Sequence, residues 1–359
     1  MQGFGRPRRA GRAAATGRLT VDTAIVATPV DFAVYGEYGG SMTAPKGRTF
    51  ERPTYPFQER VGGERFPAEP GRYRVYASYA CPWAQRSLIV RRLKGLEKAV
   101  SVAIVDPVRD GRGWAFREGP GHGPDEVGGF ALLRELYEAT EPGYDGHISV
   151  PVLWDTATRR IVSNHFPDIT LDLNARFNAW AEHDVELYPE HARAEIDRLN
   201  ERVYAAINNG VYKCGFAPSQ EAYDSAVAEL FAALDELEEL LADRRFLTGD
   251  FVTEADIRLW VTLARFDTVY FTHFKTNLRR LADYPNLWGY TRDLYTLPAF
   301  RETTDFDHIR RHYYVTHGNL NPRRIVPVGP RPDFDAPHDR ARLSGGGPGA
   351  PVLSPRSGT

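Results

Sequence analysis

One short stretch constrains this chain more than any other. An alternating polar and apolar or aromatic run, Arg72 to Ser78, leads directly into Cys81-Pro82 and a helical pattern that continues to Leu93. Period-two alternation predicts a strand, and the apolar spacing after Pro82 predicts a helix. Pro82 suits the first helical position, where its missing N–H has no partner to lose and its φ is already helical. Cys81 is thereby placed at the helix N-cap. Free backbone N–H groups and the positive end of the helix dipole there favour thiolate over thiol. Such a thiolate is a nucleophile for sulfur chemistry, which makes Cys81 the candidate catalytic residue. Ala84 stands where a Cys-x-x-Cys dithiol would carry its second cysteine, so the chemistry is monothiol and needs an external thiol to finish the turnover. The bland alternative is a small, buried, unreactive cysteine.

Further strands are expected at Ser101 to Val105, Pro151 to Asp155 and Arg160 to Ser163, with a long glycine-bearing loop from Pro107 to Gly146. A helix is expected across Pro167 to Leu173. The order βαβ then ββα is the thioredoxin arrangement of a mixed sheet with helices on its faces. A proline at the head of the third strand loses a ladder bond unless Val150-Pro151 is cis or the strand begins there. In a thioredoxin-like fold a cis-proline at this place faces the active cysteine, and the residue before it offers its backbone to the bound thiol. Beyond about Glu190 the period becomes helical: Tyr223, Val227, Leu230, Leu234, Leu237 and Leu241 recur at three- and four-residue spacing. Thr253 and Asp256 form a capping box ahead of Ile257, Leu259, Trp260, Leu263 and Phe266.

The predicted fold class is α/β plus all-α, a thioredoxin-like N-terminal domain joined to a helical C-terminal domain. Residues 1–49 are expected to be a disordered tail and N-terminal extension, 50–180 the thiol-binding domain, 190–330 the helical domain, and 331–359 a second disordered tail. An organelle transit peptide at the Arg-rich start is a minor alternative, since that stretch has little serine and no amphipathic pattern. The chain has 359 residues and a net charge of -2, which gives no basic excess to hold a phosphate backbone. No membrane-spanning run and no signal peptide are evident, so a cytoplasmic protein is the default. The second of the two cysteines, Cys214, reads as a buried apolar residue. The ten histidines, among them His273, His308, His312 and His317, are too irregularly placed for a metal site, and no metal is expected.

Several blocks together resemble a known family: Arg72 to Ala84 (RYRVYASYACPWA), Gly113-Trp114, Ser149 to Asp155 (SVPVLWD), Val211 to Phe216 (VYKCGF), Thr253 to Asp256, Arg265 to Lys275, Asp283 to Tyr295 and His312 to Pro330. In this order, over roughly Phe50 to Pro330, they resemble the glutathionyl-hydroquinone reductases, the Xi class of glutathione transferases. The resemblance implies a homodimer that removes glutathione from a glutathionyl-hydroquinone, using a second glutathione and releasing glutathione disulfide. It implies no permanently bound cofactor. Its partners are a low-molecular-weight thiol and an aromatic conjugate. By motif, Cys81 is the nucleophile, Trp114 packs on the bound thiol, and Val150 holds its backbone ahead of Pro151. Tyr212 and Tyr314 contact the aromatic substrate, with Tyr313 the other choice because the register of His312-Tyr313-Tyr314 is not fixed by sequence.

One block departs from the family. After the fourth strand the family has Ser-Asn-Glu-Ser, whose Glu and Ser grip the γ-glutamyl end of glutathione. This chain has Ser163-Asn164-His165-Phe166. A phenyl ring offers a γ-glutamyl carboxylate no hydrogen bond, and imidazole does not replace an anion facing an ammonium. His165 and Phe166 therefore suggest a different thiol co-substrate, with mycothiol the first candidate, unless Asp168 or a neighbour restores the grip. An excess of 40 arginines over 5 lysines suggests a GC-rich genome, of the kind common among mycothiol-making bacteria. A non-catalytic transferase-like interaction module is the rival reading.

Overall fold

In the computed structural model, residues 25–38, 50, 52–346 and 352–356 are described. Residues 1–18 of the expected leader lie outside them.

The stretch around Cys81 folds as its pattern requires. Strand β1 (Tyr73–Ala77) runs into helix α2 (Pro82–Leu93), and a short helix α1 (Phe32–Tyr35) precedes both. Lys94 caps α2 and Gly95 turns the chain at φ +64, where an added Cβ would meet Glu182 Cβ at 2.8 Å. Strand β2 (Val100–Ile104) follows, then helix α3 (Arg134–Thr140), strands β3 (Val152–Asp155) and β4 (Arg160–Ser163), and helix α4 (Phe166–Ala175). The glycine-bearing connection between β2 and β3 is thus not a plain loop, because α3 lies within it. The sheet order is β2-β1-β3-β4, with β1 parallel to β2 and antiparallel to β3. All five residues of β1 are buried, so both faces of the sheet are covered at its centre.

The second half is helical: α5 (Arg193–Val203), α6 (Gly210–Gly215), α7 (Gln220–Asp243), α8 (Glu254–Arg265), α9 (Phe271–His273), α10 (Pro285–Tyr295), α11 (Pro298–Arg301) and α12 (Phe306–Thr316). Two π-turns, Tyr204–Asn208 and Phe266–Tyr270, interrupt this series. Phe266 thus begins a π-turn and does not continue α8. At the start of α8, Thr253 N–H donates to Asp256 Oδ2 at 2.7 Å. The Asp256 carboxylate also accepts from Leu247 N–H and the Tyr290 hydroxyl, each at 2.9 Å, so the cap doubles as a buried hub. Among the described residues no helix is long and apolar enough to cross a membrane.

Both halves of the molecule meet on α2. Gln85 Nε2 donates to Thr303 O at 3.1 Å, and Arg86 Nη2 donates to Asn208 Oδ1 at 2.8 Å. Arg265, fully buried at the end of α8, donates to Tyr79 O at 2.8 Å, Ala80 O at 3.1 Å and Gln85 Oε1 at 2.6 Å. The loop that carries Cys81 is thereby tied to the helical half.

The expected extension and tail are corrected where they are described. Residues 25–38 pack on the β2–α3 connection: Ala27 N–H donates to Phe116 O, and Arg112 lies over the Tyr35 ring. From Arg331 to Gly346 the described chain is a strap along the helical half, not a free tail. Phe334 is buried against Trp288, Tyr295 and Phe306. Arg340 is buried and donates to the carbonyls of Leu241, Arg244 and Arg245. Composition hid this, because two anchoring side chains among prolines and glycines leave no periodicity. Substituting Arg340→Ala strands three carbonyls and should lower stability by about 3 kcal/mol. Urea unfolding reads this directly, and a change below about 0.5 kcal/mol would show the strap to be idle.

Candidate active site

Cys81 is the N-cap of α2, with extended backbone at φ -82 and ψ 117. It opens on a cavity whose lining includes Arg52, Trp83, Arg109, Trp114, Val150, Tyr212, His312 and Tyr313. The Val150–Pro151 peptide is cis, and the Cys81 thiol donates to Val150 O at 3.5 Å. Three of the expected residues, Cys81, Trp114 and Val150, are therefore brought together, with Pro151 directly behind Val150.

The helix N-terminus does act on the thiol, but it does not win. Burial pushes the Cys81 thiol up from its ordinary range. The N–H groups of Ala84 and Trp83 and the charges of Arg265 and Arg52 pull the other way. The expected lowering of the thiol is therefore corrected: desolvation of a sulfur in an aromatic cavity outweighs the dipole. Cys214 is buried, and burial pushes its thiol up to about 12.

Aromatic hydroxyls form the opposite wall. Tyr212 Oη and Tyr313 Oη lie 2.6 Å apart, and Tyr270 Oη is 3.0 Å from Tyr313 Oη. Burial, helped by the neighbouring Tyr212, holds the Tyr313 hydroxyl well above its ordinary range, so it is protonated and able to donate. The structure settles the register left open in His312-Tyr313-Tyr314. Tyr313 lines the cavity, whereas Tyr314 points one helical step away onto the His273 ring, with centroids 4.8 Å apart. Tyr314 is thus not among the lining residues of this cavity.

Trp114 stacks on His312, with ring centres 5.1 Å apart and planes 13° from parallel. His312 Nδ1 lies 2.7 Å from Pro107 O. Burial and then the Arg109 charge hold His312 well below its ordinary range. Burial lowers His147 to about 4, with Arg109 and Arg52 adding to the effect. Both rings are neutral near pH 7.

His165 and Phe166 are not in the cavity lining. His165 caps α4, and its Nδ1 sits 2.8 Å from Asp168 Oδ2. Asp168 also pairs with Arg60 at 3.2 Å, so its carboxylate is already engaged. Phe166 is buried beneath Trp83, with ring centres 4.6 Å apart, and its edge meets Tyr55. Its ring is packed between these aromatics and is not part of the cavity lining.

Sequence reasoning missed Arg52, Arg109, His147 and Tyr270. In a chain with 40 arginines nothing marks two of them, and Tyr270 is one of 18 tyrosines. His312 and His317 were weighed only as metal ligands, but they are cavity walls. With the Cys81 thiol raised, its thiolate fraction is small at neutral pH and grows as pH rises. The rate of Cys81 alkylation by iodoacetamide, followed by peptide mass spectrometry, should still be increasing at about pH 9. A plateau already reached near neutrality would contradict the burial effect.

The glutathione S-transferase C-terminal domain family model matches residues 220–293. Glutathionyl-hydroquinone reductase YqjG of Escherichia coli K12 is 49% identical over 281 residues, covering 78% of this chain and 86% of that protein. Its glutathione-bound structure superposes with a TM-score of 0.77 at 46% identity, covering 79% of this chain and 96% of that one. A Xi class enzyme from Natrialba magadii superposes with a TM-score of 0.79 at 47% identity, covering 81% and 90%. With a thioredoxin-like sheet, a helical half closing over it and relatives of this extent, the chain belongs to the glutathionyl-hydroquinone reductases, the Xi class of glutathione transferases.

Proposed function

We propose that this enzyme removes a low-molecular-weight thiol from thiol-conjugated hydroquinones through a mixed disulfide on Cys81. The observation that carries this reading is a single cavity holding Cys81 at a helix N-cap, the Val150 carbonyl beside it, and the hydrogen-bonded Tyr212–Tyr313 pair. The Cys81 thiolate attacks the thioether sulfur. The sulfur–carbon bond breaks, its electron pair goes to the ring carbon, and that carbon takes up a proton as hydroquinone leaves. The protonated Tyr313 hydroxyl donates to a ring oxygen and favours the keto tautomer whose carbon leaves more readily, a contribution of ~10²–10⁴-fold. A second thiolate then attacks the mixed disulfide, which releases a symmetrical disulfide and restores the Cys81 thiolate.

The co-substrate is glutathione or mycothiol, and the residues favour mycothiol. The cavity lining includes no carboxylate to meet the γ-glutamyl ammonium of glutathione. Asp168 is held by Arg60 and His165, and Phe166 is packed under Trp83. Mycothiol, whose cysteine carries a sugar and inositol in place of γ-glutamate, brings no such ammonium.

Substituting Cys81→Ser should abolish thiol release from a hydroquinone conjugate by at least ~10³-fold, and the mixed disulfide should appear by intact-mass spectrometry only in the parent protein. Undiminished activity in the variant, or none in the parent with either thiol, would point to an interaction module. In stopped flow, mycothiol should resolve the mixed disulfide faster than glutathione. Equal or faster resolution by glutathione would restore it as co-substrate.

A further inference from the structure

Two guanidinium groups face the cavity beside Cys81, and no carboxylate lines it. Arg109 is only 6% exposed, and its guanidinium carbon lies 3.8 Å from the Tyr38 ring centre and 4.4 Å from that of Trp114. Its Nε is enclosed without a hydrogen-bond partner. Arg52 lies 4.1 Å from the Trp83 ring centre and 4.5 Å from that of Tyr212, with its Nε on Asn209 Oδ1 and its Nη2 unpartnered. Among the described residues neither guanidinium has an acidic partner.

Most other buried arginines are held differently. Arg74 pairs with Asp125, Arg117 with Asp106 and Arg245 with Asp293, and Arg265 and Arg340 are held by carbonyls, while Arg86 lies on the Trp83 and Phe166 rings with Asn208 as its partner and is not part of the cavity lining. A buried cation without a counter-charge is costly, so it is uncommon in a folded protein unless something else meets it. The aromatic faces around Arg109 supply part of that compensation and fix the plane of the guanidinium. They leave its N–H edge for a planar anion, and a carboxylate is the group that matches the guanidinium fork.

The position of Arg109 indicates which part of a ligand would carry that anion. Arg109 lines the same cavity as Cys81 and the hydrogen-bonded Tyr212–Tyr313 hydroxyl pair. A thioether with its sulfur at Cys81 and its thiol half along Val150 presents its ring to this group of side chains. We propose that Arg109, assisted by Arg52, forms an anion subsite that recognises a carboxylate on the aromatic half of the substrate. The proposal rests on the reading of Cys81 as the attacking group and narrows the substrate class to hydroquinones that bear a ring carboxylate. A carboxylate on the thiol is the other source of the same chemistry, and the test separates the two.

Isothermal titration of the Cys81→Ser protein with dihydroxynaphthoate and with dihydroxynaphthalene compares rings that differ by the carboxylate alone. The carboxylated ring should bind roughly tenfold to a hundredfold more tightly, the scale of a charge-assisted hydrogen bond. Arg109→Gln should bring the ratio of the two affinities close to one, and Arg109→Lys should restore part of it. The ratio should survive in the presence of glutathione at a concentration that direct titration shows to occupy the Cys81→Ser protein, its carboxylates then failing to compete. Its disappearance under glutathione would assign Arg109 to the thiol and overturn the proposal, as would equal binding of the two rings. If Arg109→Gln does not fold, Arg52→Gln serves in its place, and an unchanged ratio in the folded variant refutes the subsite. Because binding is read on a protein that lacks the thiol, the result stands apart from whether Cys81 performs the chemistry.

Discussion

The buried guanidinium of Arg265 is the constraint on which the rest of the site depends. It reaches from the last turn of α8 to the carbonyls of Tyr79 and Ala80, the two residues ahead of Cys81, and to the Gln85 side chain one turn into α2. Its partners are neutral, so its charge is not cancelled locally, and it is among the groups that pull the Cys81 thiol toward thiolate. One side chain thus fixes the Cys81 loop in space and pulls its thiol toward ionisation. It also makes the sheet's helix and the helical half a single unit, because Gln85 goes on to hold Thr303. A loop held by backbone acceptors on a rigid helix end keeps its position better than one held by exposed pairs.

Around that anchor the cavity is aromatic, cationic and free of acid. These properties reinforce one another. Burial among aromatic walls raises the thiol and keeps the Tyr313 hydroxyl protonated. The same burial, together with Arg109, holds His147 and His312 neutral. The result is a cavity wall with the donors Arg52, Arg109 and Tyr313 beside the accepting Val150 carbonyl. Burial works against ionisation of both the thiol and the Tyr313 hydroxyl, so one physical cause sets the protonation of both.

Periodicity and chain punctuation are local, and the elements they specify were legible. The strand into Cys81-Pro82, the helix from Pro82 and the Thr253–Asp256 cap follow from rules that act within a few residues. The β4 span Arg160–Ser163 also agrees with its pattern, while α4 extends a residue or two beyond it at each end. The strap after Arg331 was not legible, because Phe334 and Arg340 are anchored by residues 30 to 100 positions away. Tyr313 and Tyr314 could not be told apart for a related reason. They are adjacent on one helix, and only the packing of α12 against the π-turn at Phe266–Tyr270 selects the face that meets Tyr212.

The sequence by itself determined the sheet-to-helix junction, the place of Cys81 at its N-cap, the absence of a second cysteine in that turn, and the His165-Phe166 pair after the fourth strand. Each is written in residue identities at short spacing. Only the tertiary structure decided the ionisation of Cys81, the burial of Phe166, the choice of Tyr313 and the meeting of Arg52 with Arg109. Those depend on how much water remains around a group and on which distant side chains share its cavity. Neither solvent exclusion nor long-range proximity is encoded in the spacing of neighbouring residues.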